Sequence, residues 1–225
     1  MKKVCLEPGP IKCNFEVNIA DGLHNGGGKF FVQKFLSDPD ILSKFSAKES
    51  IMEMCCGFGG MGYYLAHKLG LKEAIFVDVD PGVEQSILLN NQFNFSTQFF
   101  LSSAFESYNG PKVELIVLNP PHVTKESEFL QIQEEVPEWF PKTRDERSRL
   151  ILLDEDFKFH KSFCKDVTKF LKPKGQIAFL ENEIYIPHSR LIKSLGDQFD
   201  YEFIQKNETV DEGYYLLLAT KKQVL

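Results

Sequence analysis

Short apolar runs recur along the chain and alternate with stretches whose apolar residues return every three or four positions. The runs predict strands buried on both faces, and the helical spacing predicts helices packed on one side. The predicted strands begin at Ile51 and continue with residues 74–78, 98–101, 113–118, 176–181, 201–205 and 214–220. The predicted helices cover residues 30–45, 61–69, 81–91, 157–171 and 187–199. This alternation predicts an α/β fold, and Asp211-Glu212-Gly213 joins the last two strands into an antiparallel hairpin.

A glycine-rich turn joins the first of these strands to the helix after it. Gly57-Phe58-Gly59-Gly60-Met61-Gly62 matches the dinucleotide fingerprint G-x-G-x-x-G. We expect Gly57, Gly59 and Gly62 to permit positive φ and a close approach of the backbone to a ligand, next to the free amides that open the helix. The turn therefore predicts a cofactor site.

Acidic residues at the ends of two strands narrow the choice of cofactor. Glu53 precedes the glycine turn, where it would repel a pyrophosphate but attract the ammonium and sulfonium groups of S-adenosylmethionine. Asp78 lies about twenty residues beyond Gly57, the distance at which Rossmann-like folds place an acid on the ribose hydroxyls. Asp80 is the alternative, but Asp78 directly ends the apolar run. A nicotinamide oxidoreductase would leave Glu53 unexplained, and the sequence has no evident Tyr-Lys or His-Asp pair for hydride chemistry.

Asn119-Pro120-Pro121-His122 follows the strand over 113–118. An amide or exocyclic amine nitrogen is a poor nucleophile because its lone pair is delocalised. If the Asn119 side-chain oxygen and the Pro120 carbonyl each accept one N–H, the nitrogen is held with its lone pair aimed at a methyl donor. The prolines stiffen the loop, and His122 can stack on a planar group or accept a proton.

With these two motifs in this order, the chain resembles the class I S-adenosylmethionine-dependent methyltransferases over about residues 50–220. Within them it resembles the amino-methylating group whose signature is Asn-Pro-Pro followed by an aromatic residue, from which His122 departs. The resemblance implies a Rossmann-like, seven-stranded, mostly parallel sheet with a C-terminal antiparallel hairpin. The sequence is also similar to release-factor glutamine methyltransferases around residues 135–137, and to small ribosomal RNA methyltransferases around residues 21–28.

The resemblance implies S-adenosyl-L-methionine as cofactor and a set of residues around it. The cofactor-binding residues it implies are Glu53, Cys55, Gly57, Gly59, Asp78, Val79, Ser103, Ala104 and Asn119. Ser103 stands where many members carry an acid, which leaves the adenine to a hydroxyl, a backbone amide or water. The implied catalytic residues are Asn119, Pro120 and His122, and the implied substrate contacts include Pro121 and His122. No metal ligand set is implied.

Two segments add to the methyltransferase domain predicted over residues 50–225. Residues 1–49 form an N-terminal extension whose glycine-rich loop is either a lid or a linker, followed by a covering helix. Residues 123–156 form a charged insert that contains Trp139. This tryptophan is either a substrate contact or an apolar plug over the sheet edge.

Composition limits the partners and the compartment. The 225 residues fit one α/β domain, and the net charge of −6 provides no basic field for autonomous binding to nucleic acid. Five cysteines, with Cys55 and Cys56 adjacent, give neither a disulfide framework nor metal-ligand spacing, which favours a reduced, cytoplasmic chain. No run approaches the roughly twenty apolar residues of a membrane span.

The sequence thus predicts an N-methyltransferase that acts on a planar amide or exocyclic amine nitrogen, of a protein glutamine or an RNA base. Two alternatives stay open at this stage. One is a small-molecule amine as the acceptor, and the other is a module that binds S-adenosylmethionine without catalysis.

Overall fold

The computed structural model describes residues 2–6, 13–17, 28, 31–89, 93–135, 149, 152–206 and 213–223. Strands β1 (Lys2–Leu6) and β2 (Cys13–Val17) pair antiparallel in a separate two-stranded sheet, which was not predicted. The main sheet consists of β3 (Ser50–Met54), β4 (Glu73–Asp78), β5 (Ser96–Leu101), β6 (Val113–Leu118), β7 (Leu171–Asn182), β8 (Phe199–Ile204) and β9 (Tyr214–Lys221).

The seven strands of the main sheet lie in the order β5-β4-β3-β6-β7-β9-β8. The first five are parallel to their neighbours, whereas β9 runs antiparallel to both β7 and β8. This confirms the predicted Rossmann-like, mostly parallel sheet with its C-terminal antiparallel hairpin.

Helices cover both faces of this sheet. They are α1 (Pro39–Leu42), α2 (Gly60–Leu69), α3 (Val83–Leu89), α4 (Glu126–Glu135), α5 (Lys158–Phe170) and α6 (His188–Leu195), with a π-helical segment at Val32–Leu36 and a 3-10 turn at Glu155–Phe157. Helix α2 ends at Gly70, whose φ of 65° is left-handed, as the predicted stop signal requires. In the described part of the chain, no helix has the length and apolar character of a membrane span.

Alternate residues of the strands point into two hydrophobic layers. One layer joins the strands to residues 31–47, α2 and α3, and it includes Phe31, Phe76 and Val117. The other lies between the sheet and helices α5 and α6, and it includes Phe163 and Phe179. Because both faces are covered, β4 is buried at residues 74–77, which is why these residues form a continuous apolar run.

Two predicted elements differ from the structure. The single helix expected over residues 30–45 is interrupted, because Pro39 has no N–H to continue it and Asp38 instead accepts the N–H of Asp40 at 2.9 Å to begin α1. Strand β7 begins at Leu171, five residues before the predicted start. Its first residues bulge, with Lys174 at φ 60° and a register shift opposite β6.

Candidate active site

The carboxyl ends of five parallel strands meet at one edge of the sheet. The register pairs Met54 with both Val77 and Leu118, pairs Val77 with Phe100, and pairs Leu118 with Phe179. The segments that leave this edge cover residues 55–59, 79–82, 102–107, 119–122 and 181–183. Open α/β sheets bind ligands at this edge. All the described residues predicted for the site lie on these segments or at the strand ends beside them.

The glycines of the turn have different functions. Gly57 and Gly59 have φ of 49° and 79°, so both need the left-handed freedom of glycine. A Cβ on Gly57 would meet nothing within 4 Å, whereas one on Gly59 would lie 2.8 Å from Ile87 and from Phe76. Gly57 therefore borders the space left for a ligand, and Gly59 permits close packing of the turn on α3 and the sheet.

Glu53 is only 2% exposed, and its Oε2 accepts the N–H of Gly62 at 2.7 Å. Gly62 is helical, and the positive φ expected for it was wrong. A Cβ there would lie 2.8 Å from the Glu53 oxygen, so glycine is required for packing. Burial raises the pKa of Glu53 to about 8, against the opposing effect of the Gly62 N–H. A cation brought to this carboxyl would favour its ionised form.

Glu53→Gln is expected to weaken the binding of S-adenosylhomocysteine by about 1–3 kcal/mol, because the ligand's ammonium would lose a carboxylate partner. Isothermal titration of both proteins measures this difference. Binding near neutral pH should also release a proton from the wild type and none from the variant, which titrations in buffers of different ionisation enthalpy detect. Unchanged affinity would exclude Glu53 from the cofactor site.

The stability of the unliganded protein provides a control for Glu53→Gln. The folded-state pKa of about 8 lies above the usual 4.5. The protonated Glu53 carboxyl therefore makes its full contribution to stability below pH 4.5. That contribution is lost as the pH rises through the folded-state pKa of about 8. Glutamine does not titrate, so the unfolding temperature of the variant relative to wild type should rise with pH across this window.

Asp78 connects the end of β4 to the glycine turn. Its Oδ2 accepts the N–H of Gly57 at 2.9 Å, and its Oδ1 accepts the N–H of Asp80 at 3.0 Å. Burial raises the pKa of Asp78, and these two donors oppose the rise. Asp80 accepts the N–H of Gly82 at 2.8 Å within its own turn. The geometry thus favours Asp78 over Asp80 as the acid beside the cofactor space.

The turn after β5 lies beside this acid, since the N–H of Ser102 donates to the Asp78 carbonyl at 2.8 Å. Ser103 is half-buried and Ala104 is buried with φ 46°. Val79 is 43% exposed, although it is a large apolar residue. Phe105, by contrast, packs in the core and stacks on Phe170 at 4.6 Å between ring centroids, so it does not face a ligand.

Cys55 has φ 55°, so that with Ala104 two non-glycine residues adopt left-handed backbone at this edge. Such conformations cost about 1–3 kcal/mol each and cluster at functional sites. Burial raises the pKa of the Cys55 thiol, and the nearby carboxylates of Asp78, Glu181 and Asp154 raise it further. The sulfur therefore stays protonated, which excludes a role as a nucleophile.

Asn119 directly follows β6 and carries an open acceptor. Its Oδ1 is buried and accepts no hydrogen bond within the described residues. Buried polar atoms in folded proteins almost always have a partner, so this oxygen needs a donor that the described residues do not supply. Pro120 is buried and Pro121 is half-buried beside it.

His122 ends the loop and contacts a residue that sequence reasoning missed. Its Nδ1 lies 2.6 Å from Oε2 of Glu181, which is fully buried at the end of β7. The sequence did contain an indication of a functional role for Glu181, because this residue ends an apolar run as Asp78 does. Trp139, predicted as a substrate contact, and most of the glycine-rich loop lie outside the described residues.

The insert leaves the sheet directly after His122, and hydrogen bonds close its base. The N–H of Val123 donates to the Leu152 carbonyl at 2.9 Å, and the N–H of Asp154 donates to the Val123 carbonyl at 2.8 Å. A pair of contacts between Arg149 and Glu126, at 2.5 and 2.6 Å, also crosses the base. Both ends of the insert are thus fixed beside the Asn119–His122 loop. Across the described ranges, no group of three or more His, Cys, Asp or Glu residues is arranged to hold a metal ion.

The order of the strands, with a ligand-binding edge at their carboxyl ends, is that of the class I methyltransferase fold. Solved structures with this fold include the 16S rRNA N2 methyltransferase RsmC of T. thermophilus in complex with AdoMet and guanosine, at a TM-score of 0.58 and 13% identity over 98% of this chain and 50% of that chain. They also include the N-methyltransferase NodS of Bradyrhizobium japonicum with S-adenosyl-l-homocysteine, at a TM-score of 0.56 and 14% identity over 88% and 94%. A third is the ribosomal protein L11 methylase of Lactobacillus delbrueckii, at a TM-score of 0.52 and 14% identity over 81% of this chain and 75% of that chain.

The chain belongs to the methyltransferase small domain family, whose sequence profile matches residues 24–138. It is an S-adenosylmethionine-dependent methyltransferase, as predicted. No curated protein sequence matches the chain.

The residues present fit this cofactor. Gly57 leaves open space, Asp78 supplies a carboxylate beside it, and Glu53 supplies a buried carboxyl at the same turn. These residues would hold S-adenosylmethionine together with the segments around Val79, Ser103 and Asn119. When bound, it supplies an electrophilic methyl group.

Proposed function

We propose that the chain methylates a planar nitrogen, either an amide or an exocyclic amine. The observation that supports this most directly is the buried Asn119 Oδ1, which has no hydrogen-bond partner among the residues that the structure describes. A planar NH₂ group carries two N–H donors, one for this oxygen and one for a second acceptor, whereas a hydroxyl carries a single O–H and a thioether carries no donor. Satisfying the orphaned oxygen would also contribute to the affinity for the acceptor.

Asn119 and Pro120 would orient this nitrogen. The Asn119 Oδ1 accepts one N–H and the Pro120 carbonyl accepts the second, so the plane of the acceptor is fixed and one face is turned towards the cofactor space. The prolines hold both oxygens in place because their φ angles are restricted. No covalent intermediate is needed, and the rate enhancement comes from positioning.

The two macromolecular acceptors that present such a nitrogen are a protein glutamine and an RNA base. The net charge of −6 favours the protein amide, or an RNA that is recruited through a partner protein. Similar folds occur in a ribosomal protein L11 methylase and in a 16S rRNA methyltransferase crystallised with guanosine, so the fold is compatible with a protein or an RNA substrate. We also expect the chain to act in the cytoplasm, where its cysteines stay reduced.

Two other readings compete with this proposal. A small-molecule amine would use the same oxygens, so only an acceptor screen separates it from a macromolecule. A module that binds S-adenosylmethionine without catalysis would gain nothing from the open Asn119 oxygen, which destabilises the fold while it stays unpaired.

The first experiment is isothermal titration of the full chain with S-adenosylhomocysteine and, separately, with NADH. Binding of the former alone justifies a tritiated-methyl screen against protein, RNA and metabolite fractions, followed by mass spectrometry of the labelled product. We expect the label on an amide or exocyclic amine nitrogen. A label on oxygen, sulfur or carbon would contradict the proposal, and binding without transfer to any fraction would favour the non-catalytic module.

A further inference from the structure

A continuous series of hydrogen-bonded side chains runs from the Asn119–His122 loop into the interior. His122 Nδ1 lies 2.6 Å from Glu181 Oε2, and the other oxygen of Glu181 lies 2.7 Å from Nε2 of His160. Nδ1 of His160 lies 2.6 Å from Oδ2 of Asp154. These four residues, which we call the buried relay, come from the loop after β6, the end of β7, helix α5 and the segment before it.

The charges of the buried relay are set by their neighbours. Burial opposes the ionisation of Glu181. Its interactions with His122 and His160, through charge and through hydrogen bonds, outweigh the effect of burial and lower the pKa of Glu181. Burial likewise opposes protonation of His160, yet Glu181 and Asp154 raise its pKa to about 9. Glu181 is therefore an anion and His160 a cation. Asp154 contacts the far side of His160, and His122 contacts the Glu181 carboxylate from the other end of the relay.

The surrounding structure holds His160 in a fixed orientation. The ring of Phe157 stacks on it at 4.4 Å with an interplanar angle of 3°, and the Arg190 guanidinium lies over the Phe157 ring at 4.0 Å. Asp156 and Phe157 both adopt left-handed backbone, with φ of 58° and 62°. Asp154 also accepts the N–H of Phe159 at 2.6 Å. Strained backbone that persists around a buried charged pair is typical of a functional site.

The hydrogen bonds also fix the tautomer of His122. An ionised carboxylate only accepts hydrogen bonds, so Nδ1 of His122 carries the hydrogen that points to Glu181. Nε2 then has a free lone pair. The His122 side chain is 19% exposed, whereas those of Glu181 and His160 are fully buried. His122 is thus the one member of the relay whose side chain is partly exposed.

We propose that His122 accepts the proton that the acceptor nitrogen loses, and that Glu181, His160 and Asp154 are positioning residues for this step. The inference rests on the proposed function. When methylation makes the nitrogen tetrahedral, one of its two N–H groups turns away from its oxygen acceptor. That N–H bond breaks, its electron pair stays on nitrogen, and the proton bonds to Nε2. The resulting imidazolium is stabilised by the Glu181 carboxylate, which lies 2.6 Å from its Nδ1. Stacking alone would need neither the Glu181 contact nor the charges behind it.

The proton-accepting role predicts a pH dependence, since a protonated Nε2 cannot accept. The wild-type rate should therefore fall towards low pH. Besides the relay, the titratable groups that face this region are Cys55 after β3 and Tyr215 on β9, both of which feel the charge of Glu181. Burial raises the pKa of each well above neutrality, so both stay uncharged. Glu183, which raises the pKa of Tyr215, pairs with His188.

Three variants of the full chain test the role of His122, with methyl transfer measured in a single turnover. His122→Phe keeps a planar ring and should lower the rate about 100-fold, the usual contribution of a positioned proton acceptor. It should also lose the low-pH fall. His122→Ala should recover activity when imidazole is added. His188→Phe is the matched control, because His188 pairs with Glu183 at 3.0 Å outside the relay, and its rate should equal that of wild type.

Glu181→Gln provides a readout that needs neither cofactor nor turnover. The imidazolium of His160 should hold the amide oxygen of the new side chain, which turns its NH₂ towards His122 Nδ1. The ring of His122 should then carry its hydrogen on Nε2, and ¹⁵N NMR of histidine-labelled protein distinguishes the two tautomers. A rate in His122→Phe within about threefold of wild type, or the same tautomer in both proteins, would overturn the proposal. Asn119→Ala separates this proposal from the proposed function. If Asn119→Ala is inactive in the same assay, only the role of His122 is wrong; if Asn119→Ala is active, the proposed function is wrong as well.

Discussion

Asn119→Ala is expected to lower the single-turnover rate of methyl transfer at least about 100-fold, while the Kd for S-adenosylhomocysteine changes less than about twofold. The variant removes the oxygen that we propose accepts an N–H of the acceptor. The same change should leave the unfolding free energy unchanged or raise it by up to about 2 kcal/mol, because the buried Oδ1 has no partner in the described chain. Loss of rate with gain of stability is the signature of a residue kept for function.

Rapid-quench kinetics, calorimetric titration and thermal unfolding measure these three quantities. Asn119→Asp is a useful companion, since it keeps an oxygen at this position but adds a charge at a buried site. It should retain more activity than alanine and lose stability as it ionises. Full turnover in Asn119→Ala would place the chemistry elsewhere. A large loss of stability would mean that the oxygen has a structural partner.

Asp78→Ala is expected to weaken binding of both S-adenosylhomocysteine and adenosine at least about tenfold. The carboxylate is the proposed ribose acceptor, and it also holds the N–H groups of Gly57 and Asp80 at 2.9 and 3.0 Å. Its removal therefore costs a ligand contact and loosens the glycine turn.

The matched control is Asp80→Ala, whose carboxylate accepts the N–H of Gly82 in its own turn, and its affinity should stay within about twofold of wild type. Titration with adenosine isolates the ribose contact from the amino acid end of the cofactor. Loss of adenosine affinity in Asp80→Ala alone would reverse the assignment of the two acids. Equal loss in both variants would indicate that the turn geometry, and not a single acid, determines the affinity.

Local sequence determined the parts of the fold that could be predicted. Residues 113–118 form β6 with the predicted bounds, because a strand covered on both faces is apolar at nearly every position, here at all except the half-buried Glu114. The Gly57 turn and the Asn119–His122 loop were predicted because each is a short motif whose residue types have a stated chemical reason. The helix break before Pro39 could also have been predicted from the proline itself. It was missed because apolar residues recur with helical spacing on both sides of the break.

The parts that were missed depend on contacts between residues distant in sequence. Glu181 lies 59 positions from His122 and 21 from His160, and no periodicity records such pairings. His160 occupies a buried position of an amphipathic helix, where the sequence alone favours an apolar role. Glu53 was placed near the cofactor from its position on the strand, but its hydrogen bond to Gly62 is a property of the packed turn.

The hydrogen bonds at the base of the insert fix its two ends, so that its length can vary without a change in the rest of the domain. Because Val123 is bonded to Leu152 and Asp154, the segment between them begins and ends at a fixed point. Each doubling of the length of such a segment costs only about 0.6 kcal/mol of closure entropy. Insertions, deletions and exchanges there can accumulate without disturbing β6 or the Asn119–His122 loop. We expect the acceptor to change with this segment, while the Asn119–His122 loop at its base keeps its geometry.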